Sequence, residues 1–203
     1  GEPFMNPEII EMLQVSLSRG FNVLILTNAM QPMQRPRVKS SLIDLNRQFG
    51  DKLVLRISLD HHTKMLHESE RGANTWERAL VGMDWLAENK FSLAIAGRTC
   101  WDESEDESRR GYAELIKEHK WPIDWTNKTR LMLLPEMDGS NDVPEITTGC
   151  WDILAKQPSE MMCASSRMVV KRKGHDKPSI VPCTLLPYDD AFEMGTTLQD
   201  SLW

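Results

Sequence analysis

The sequence predicts an α/β protein built from βα units, with parallel strands separated by helices. Two observations carry this. Short apolar runs begin near residues 22, 53, 92 and 130, and amphipathic helical stretches lie between them. The starts recur at roughly 30 to 40 residues, the length of a strand plus its returning helix. A helix precedes the first strand, so the pattern suggests a barrel or a doubly wound sheet missing its beginning. Periodicity leaves those two open.

Taken in order, residues 7–19 read as a helix, with Asn6 as cap, Pro7 at the first helical position and Gly20 as the stop. Ile9, Ile10, Leu13 and Leu17 form its apolar stripe. Residues 22–28 read as a strand whose continuous apolar run suits a sheet covered on both faces. The next helix, 37–48, turns Val38, Leu42 and Leu45 inward, and Leu53 to Asp60 is the next strand. Residues 75–89 follow as a helix whose start Asn74 can cap while Glu77 reaches back. Trp76, Ala79, Leu80, Met83 and Leu86 make its apolar face. Ser92 to Gly97 is a strand, 104–119 a helix with Tyr112, Leu115 and Ile116 inward, and Arg130 to Leu134 a further strand. The acidic start and basic end of the 104–119 helix match the helix dipole.

The texture changes after Pro135. Residues 138–149 read as a linker between a first domain, 1–137, and a cysteine-bearing extension, 150–203. Within that extension, Met168 to Lys171 and Ser179 to Leu186 read as two strands joined by a turn at Gly174. The basic run Lys171-Arg172-Lys173 reads as a solvated hairpin face.

Composition narrows the function classes. A net charge of -6 argues against a general nucleic-acid binder. No run of 18 apolar residues suggests a membrane span, and no signal peptide is visible, so a reducing cytoplasm is expected. There, Cys100, Cys150, Cys163 and Cys183 are more plausibly free, catalytic or metal-binding than disulfide-bonded.

Ligands in parallel βα folds sit at the carboxyl ends of the strands. Those ends are polar here: Thr27-Asn28, Ser58-Leu59-Asp60, Arg98-Thr99 and Glu136, with Gly1-Glu2-Pro3 before the first helix. Arg98, Trp101 and Glu136 are candidates to face a substrate.

The order of these motifs resembles the radical S-adenosylmethionine (SAM) superfamily. Gly1-Glu2-Pro3 is similar to the end of its Gly-Gly-Glu-Pro motif, Leu26-Thr27-Asn28 to its Thr-Asn-Gly strand end with Ala29 replacing Gly, and Arg56 to Asp60 to its fourth strand. Glu70-Arg71-Gly72 followed by Trp76 to Leu80 is similar to the loop and helix after that strand. The resemblance covers essentially the whole chain and implies an incomplete (β/α)6 partial TIM barrel. It implies that the backbone of Gly1, Glu2 and Pro3 meets the SAM amino group. It also implies that Thr27, Asn28 and Asp60 line the cofactor, that Ser58 meets its ribose or carboxylate, and that Arg71 pairs with the carboxylate. A guanidinium fork suits that last task.

The family holds its catalytic 4Fe–4S cluster in a Cys-x3-Cys-x2-Cys loop after the first strand, and no such loop exists here. Its start within a motif suggests that the chain lacks its N-terminal portion, and that as it stands it does not cleave SAM. Cys163, Gly174 and Cys183 resemble the opening of the SPASM or twitch extension, a cysteine-flanked β-hairpin. This implies an auxiliary iron–sulfur cluster with Cys163, Cys183 and Cys150 as ligands; zinc on the same thiolates is an alternative. The intact enzyme would abstract hydrogen from a substrate, such as a peptide or protein, with a flavodoxin or ferredoxin as electron donor. Two other classes stay open: a metal-dependent phosphoesterase using Asp60-His61-His62, and a non-catalytic binding module. Within the SAM reading, His61 or His62 is expected to face the substrate cavity, and adjacent residues leaving a strand are expected to point apart.

Overall fold

The computed structural model describes residues 1–99, 101–135, 147–184 and 188–202. Cys100, Glu136, most of the expected linker and Leu185-Leu186 lie outside them. The chain divides into two compact units, Gly1–Asp138 and Gly139–Trp203.

The first unit contains α1 (Ile9–Ser18), β1 (Val23–Thr27), α2 (Pro36–Phe49), β2 (Leu53–Ser58), α3 (Lys64–Arg71), α4 (Trp76–Glu88), β3 (Ser92–Thr99), α5 (Glu105–His119) and β4 (Leu131–Pro135). The four strands are all parallel and lie in chain order, β1-β2-β3-β4. Register pairs Ile25 with Leu55, Ile57 with Ile95, and Ile95 with Leu131. The α/β reading, with helices alternating along a parallel sheet, is therefore correct.

Alternate strand residues build the core. Ile25, Leu55, Ile57, Leu93, Ile95 and Leu131 are buried together with Leu13, Leu17, Leu42, Leu45, Met83, Leu86, Tyr112 and Ile116 of the helices. Each fully buried aliphatic chain contributes about 1.5–3 kcal/mol relative to exposure. The opposite face of the sheet carries Leu24, Leu26, Val54, Arg56, Ser58, Ala94, Ala96, Arg98, Met132 and Leu134 by alternation and register. Three of these are open: Leu24 is 43% exposed, Leu26 49% and Leu134 50%. The expectation that β1 is covered on both faces is thus corrected. Its apolar run packs against helices on one side only among the described residues.

Several helix ends also differ from expectation. Asn6 accepts a hydrogen bond from the Glu8 amide (3.0 Å), which shapes a turn, and the helix starts later, at Ile9. Asn74 and Glu77 do not cap α4: Asn74 adopts a left-handed φ of 63°, and Glu77 pairs instead with Lys64. Glu68 of α3 accepts from the Trp76 amide (3.3 Å) and supplies the cap from a neighbouring helix. Sequence periodicity missed α3 because His67 is its one buried residue, whereas Met65 is 76% exposed. A capping box does form at α5, where Ser104 and Glu107 satisfy each other's backbone amides.

In the second unit, β5 (Met168–Val170) pairs antiparallel with β6 (Ser179–Val181). The intervening turn uses Gly174 at φ 85°, where a side chain is disfavoured. Met194 donates to the Ile180 carbonyl and Ile180 to the Gly195 carbonyl, both at 2.8 Å, so the later segment lines the other edge of β6. In the basic run, Lys171 and Lys173 are exposed, while Arg172 pairs with Glu193 at 2.7 Å.

Candidate functional site

Two polar groups form at the carboxyl ends of β1–β3. The first begins at Glu2, whose carboxylate accepts from the Thr27 hydroxyl (2.8 Å) and the Asn28 amide (2.8 Å). It also accepts from the Phe4 amide (3.3 Å), so Gly1, Glu2 and Pro3 are tied to the tip of β1. Ala29, which follows, is fully buried at φ 57°, the left-handed region where glycine is ordinarily favoured. Gly82 of α4 makes room for it: a Cβ there would lie 1.9 Å from the Ala29 carbonyl oxygen.

Asp60 continues the group from β2. Arg71, on the last turn of α3, donates to both its oxygens, Nε at 2.7 Å and Nη2 at 2.9 Å. Both residues are sequence-predicted cofactor contacts, but each is the other's partner. The guanidinium expected to grip a ligand carboxylate gives Nε and Nη2 to Asp60, and these bonds leave out Nη1. Its hydrogen bonds with Asp60 raise the Arg71 pKa despite burial, and the charges of Asp60, Glu2 and Glu70 add to this. The Glu2 carboxylate is thus one of the charges that act on Arg71. The Asp60 amide donates to His67 Nδ1 (3.2 Å), and burial holds the His67 pKa below its ordinary value. Ser58 is half-buried on the less covered sheet face, and Arg98 on the same face pairs with Glu70. Arg56, also on that face, reaches across to the Thr129 carbonyl (3.3 Å) and Met132 Sδ (3.7 Å), and its Nε has no hydrogen-bond partner among the described residues.

The second group is His61, His62 and Glu103. The two imidazoles do not point apart as expected; their centroids are 4.0 Å apart. His61 is 1% exposed and meets Trp101 in a T-shaped arrangement, ring centroids 4.8 Å apart. Trp101 itself is half-buried. His61 Nδ1 accepts from the Thr63 amide (3.0 Å), so the ring's proton sits on Nε2 and is donated to Glu103 Oε1 at 3.1 Å. Ser108 donates to the other Glu103 oxygen (2.9 Å). Burial opposes ionisation of Glu103, but the bonds from Ser108 and His61 outweigh it and hold the carboxyl below the usual range.

The His62 ring lies over Gly111 of α5, where a Cβ would come within 2.2 Å of Nε2. Burial, reinforced by His61, holds the His62 pKa down against the pull of Glu103 and Glu114. Helix α5 is fixed in turn by Tyr112, whose hydroxyl donates to the Leu59 carbonyl at 2.6 Å. Sequence reasoning missed Glu103, which lies forty-two positions from His61. Only the folded chain brings it near. Asp60 is not among the three donors that lie close together; it pairs with Arg71.

In the second unit, Cys150 and Cys183 are half-buried and Cys163 is exposed. Among the described residues, His61, His62 and Glu103 are the group of three donors close enough to hold a metal ion, and these cysteines do not form one. No protein-family model and no curated protein matches the chain.

Proposed function

We propose that Gly1–Asp138 is part of a radical SAM barrel, an incomplete (β/α)6 wall that binds S-adenosylmethionine at the carboxyl ends of β1 and β2. The observation that carries this reading is the bridge from Glu2 to Thr27 and Asn28, with the Glu2 charge also acting on Arg71, the partner of Asp60. It joins three segments singled out from the sequence. The strand order also supports it. A doubly wound sheet reverses its order at a switch point and covers both faces with helices. Here the order runs β1 to β4 without reversal, and Leu24, Leu26 and Leu134 are exposed on one face, as on the inner wall of an open barrel.

In this reading Glu2 fixes the backbone of Gly1–Pro3 where it meets the SAM amino group. Arg71 contributes its remaining Nη1, held in place by Asp60, and Ser58 adds a hydroxyl from the inner face. The chain contains no Cys-x3-Cys-x2-Cys segment, and its three described cysteines do not gather into a ligand set, so these residues do not fit an iron–sulfur centre. The function assigned is binding and orientation of SAM. A peptide or protein is the substrate class that the extension suggests.

Calorimetric titration of the full chain with SAM tests this. Saturable one-to-one binding is expected. Glu2→Gln and Arg71→Lys should each weaken it by about tenfold or more, the worth of a charge-assisted hydrogen bond in a partly buried site. Absence of saturable binding, or equal affinity in both variants, refutes the reading.

A further inference from the structure

We infer that His61, His62 and Glu103 form a binding site for a divalent first-row transition metal, of the kind zinc and cobalt represent. This goes beyond the SAM reading and stands on different residues. Two imidazoles and one carboxylate suit such ions, whereas calcium and magnesium prefer all-oxygen sets. The three donor atoms lie within 4.8 Å of one another, and His61 Nε2 and Glu103 Oε1 are already 3.1 Å apart. A metal about 2.0–2.2 Å from each donor needs them roughly 3–3.5 Å apart. Metal binding therefore draws the outer donors together by about 1–2 Å.

A second observation points to a ligand. His62 Nδ1 is buried and has no hydrogen-bond partner among the described residues. Buried polar atoms are rarely left so. Of the nearby carboxylates, Asp60 pairs with Arg71, and Glu103 belongs to the proposed site itself.

The surrounding groups are those that orient metal ligands. Ser108 holds the far oxygen of Glu103, and Thr63 Oγ1 lies 2.9 Å from His61 Nδ1. Binding requires the proton on His61 Nε2 to give way to a lone pair. The neutral ring then carries its single proton on Nδ1, which donates to Thr63 Oγ1, while the Thr63 amide gives up its acceptor. No net proton is lost from the ring. Gly111 lets the His62 ring lie against α5, so the imidazole is seated by backbone rather than by a mobile side chain. Three protein ligands leave at least one position for water.

The test uses the full chain, stripped with a chelator and titrated with Zn²⁺ by calorimetry and with Co²⁺ by visible absorption, without SAM. Expected is one site, with Glu103→Gln lowering affinity by at least about tenfold and Thr63→Val by a similar factor. Glu103→Gln keeps the shape and can still accept from His61, so circular dichroism should be unchanged. Replacing all four cysteines by Ser should leave binding intact and no sulfur-to-cobalt absorption should appear. Three results overturn the inference: no saturable binding by the unaltered chain, equal affinity in Glu103→Gln, or binding that disappears with the cysteines. None of these bears on SAM titration, so the two readings fail separately.

Discussion

Substituting Gly82 by Ala tests whether the backbone behind the Glu2–Asn28 bridge is as tightly fitted as it looks. The added methyl would sit 1.9 Å from the Ala29 carbonyl oxygen and 2.9 Å from both its carbonyl carbon and Cβ. Ordinary contact for such atoms is about 3.5 Å, so helix and loop must part by roughly 1.5 Å. Neither side yields easily. Ala29 is fully buried in a left-handed conformation, and Gly82 is in the middle of α4. Overpacking of this kind costs about 1–3 kcal/mol, and more against backbone. Helix propensity works the other way, favouring Ala over Gly by about 1 kcal/mol. The clash wins, and a net loss of about 2 kcal/mol is expected. Urea unfolding followed by tryptophan fluorescence reads it, since Trp76 and Trp85 flank the site on α4. The variant should also bind SAM more weakly, because Ala29 adjoins Asn28. A midpoint equal to or above that of the unaltered chain would refute the close approach of α4 to the β1 tip.

Two further outcomes follow from the same neighbourhood. Asp60→Asn removes a 7%-exposed carboxylate that takes both arms of Arg71, and should destabilise the chain by about 3 kcal/mol, as measured by denaturant midpoint; a change near zero would mean the pair is not formed in solution. His67 accepts from the Asp60 amide, and burial depresses its pKa below 6.5, so the folded state favours the neutral ring. Its contribution is present above pH 6.5 and is lost as pH falls through the lower folded value, because the unfolded state then binds more protons. His67→Asn, whose Oδ1 accepts without titrating, should flatten the fall in unfolding midpoint as the pH drops below 6.5; an unchanged slope would remove His67 as its source.

Much of the first unit was legible from residue order. Leu42 and Leu45, Met83 and Leu86, and Tyr112, Leu115 and Ile116 all sit at the expected helical spacing and all are buried. Periodicity reports burial because one face of each helix must be apolar. It failed at α3, where the buried residue is a histidine, and at the start of α4, where Glu68 from another helix does the capping. Polar strand tips could be named, but not their pairing. That Arg71 meets Asp60 depends on where α3 ends relative to β2, which side-chain types alone do not encode.

Residue order was enough to set the alternation of strand and helix, the polar strand ends and the hairpin around Gly174, because hydrophobic period and turn chemistry are local properties. Tertiary structure alone decided that the sheet runs β1 to β4 with its helices packed on one face, that Glu2 closes on Thr27 and Asn28, and that Glu103 joins His61 and His62. Those contacts join residues more than twenty positions apart, and such distances are set by how helices pack on strands. A chain's local preferences restrict that packing without specifying which side chains finally meet.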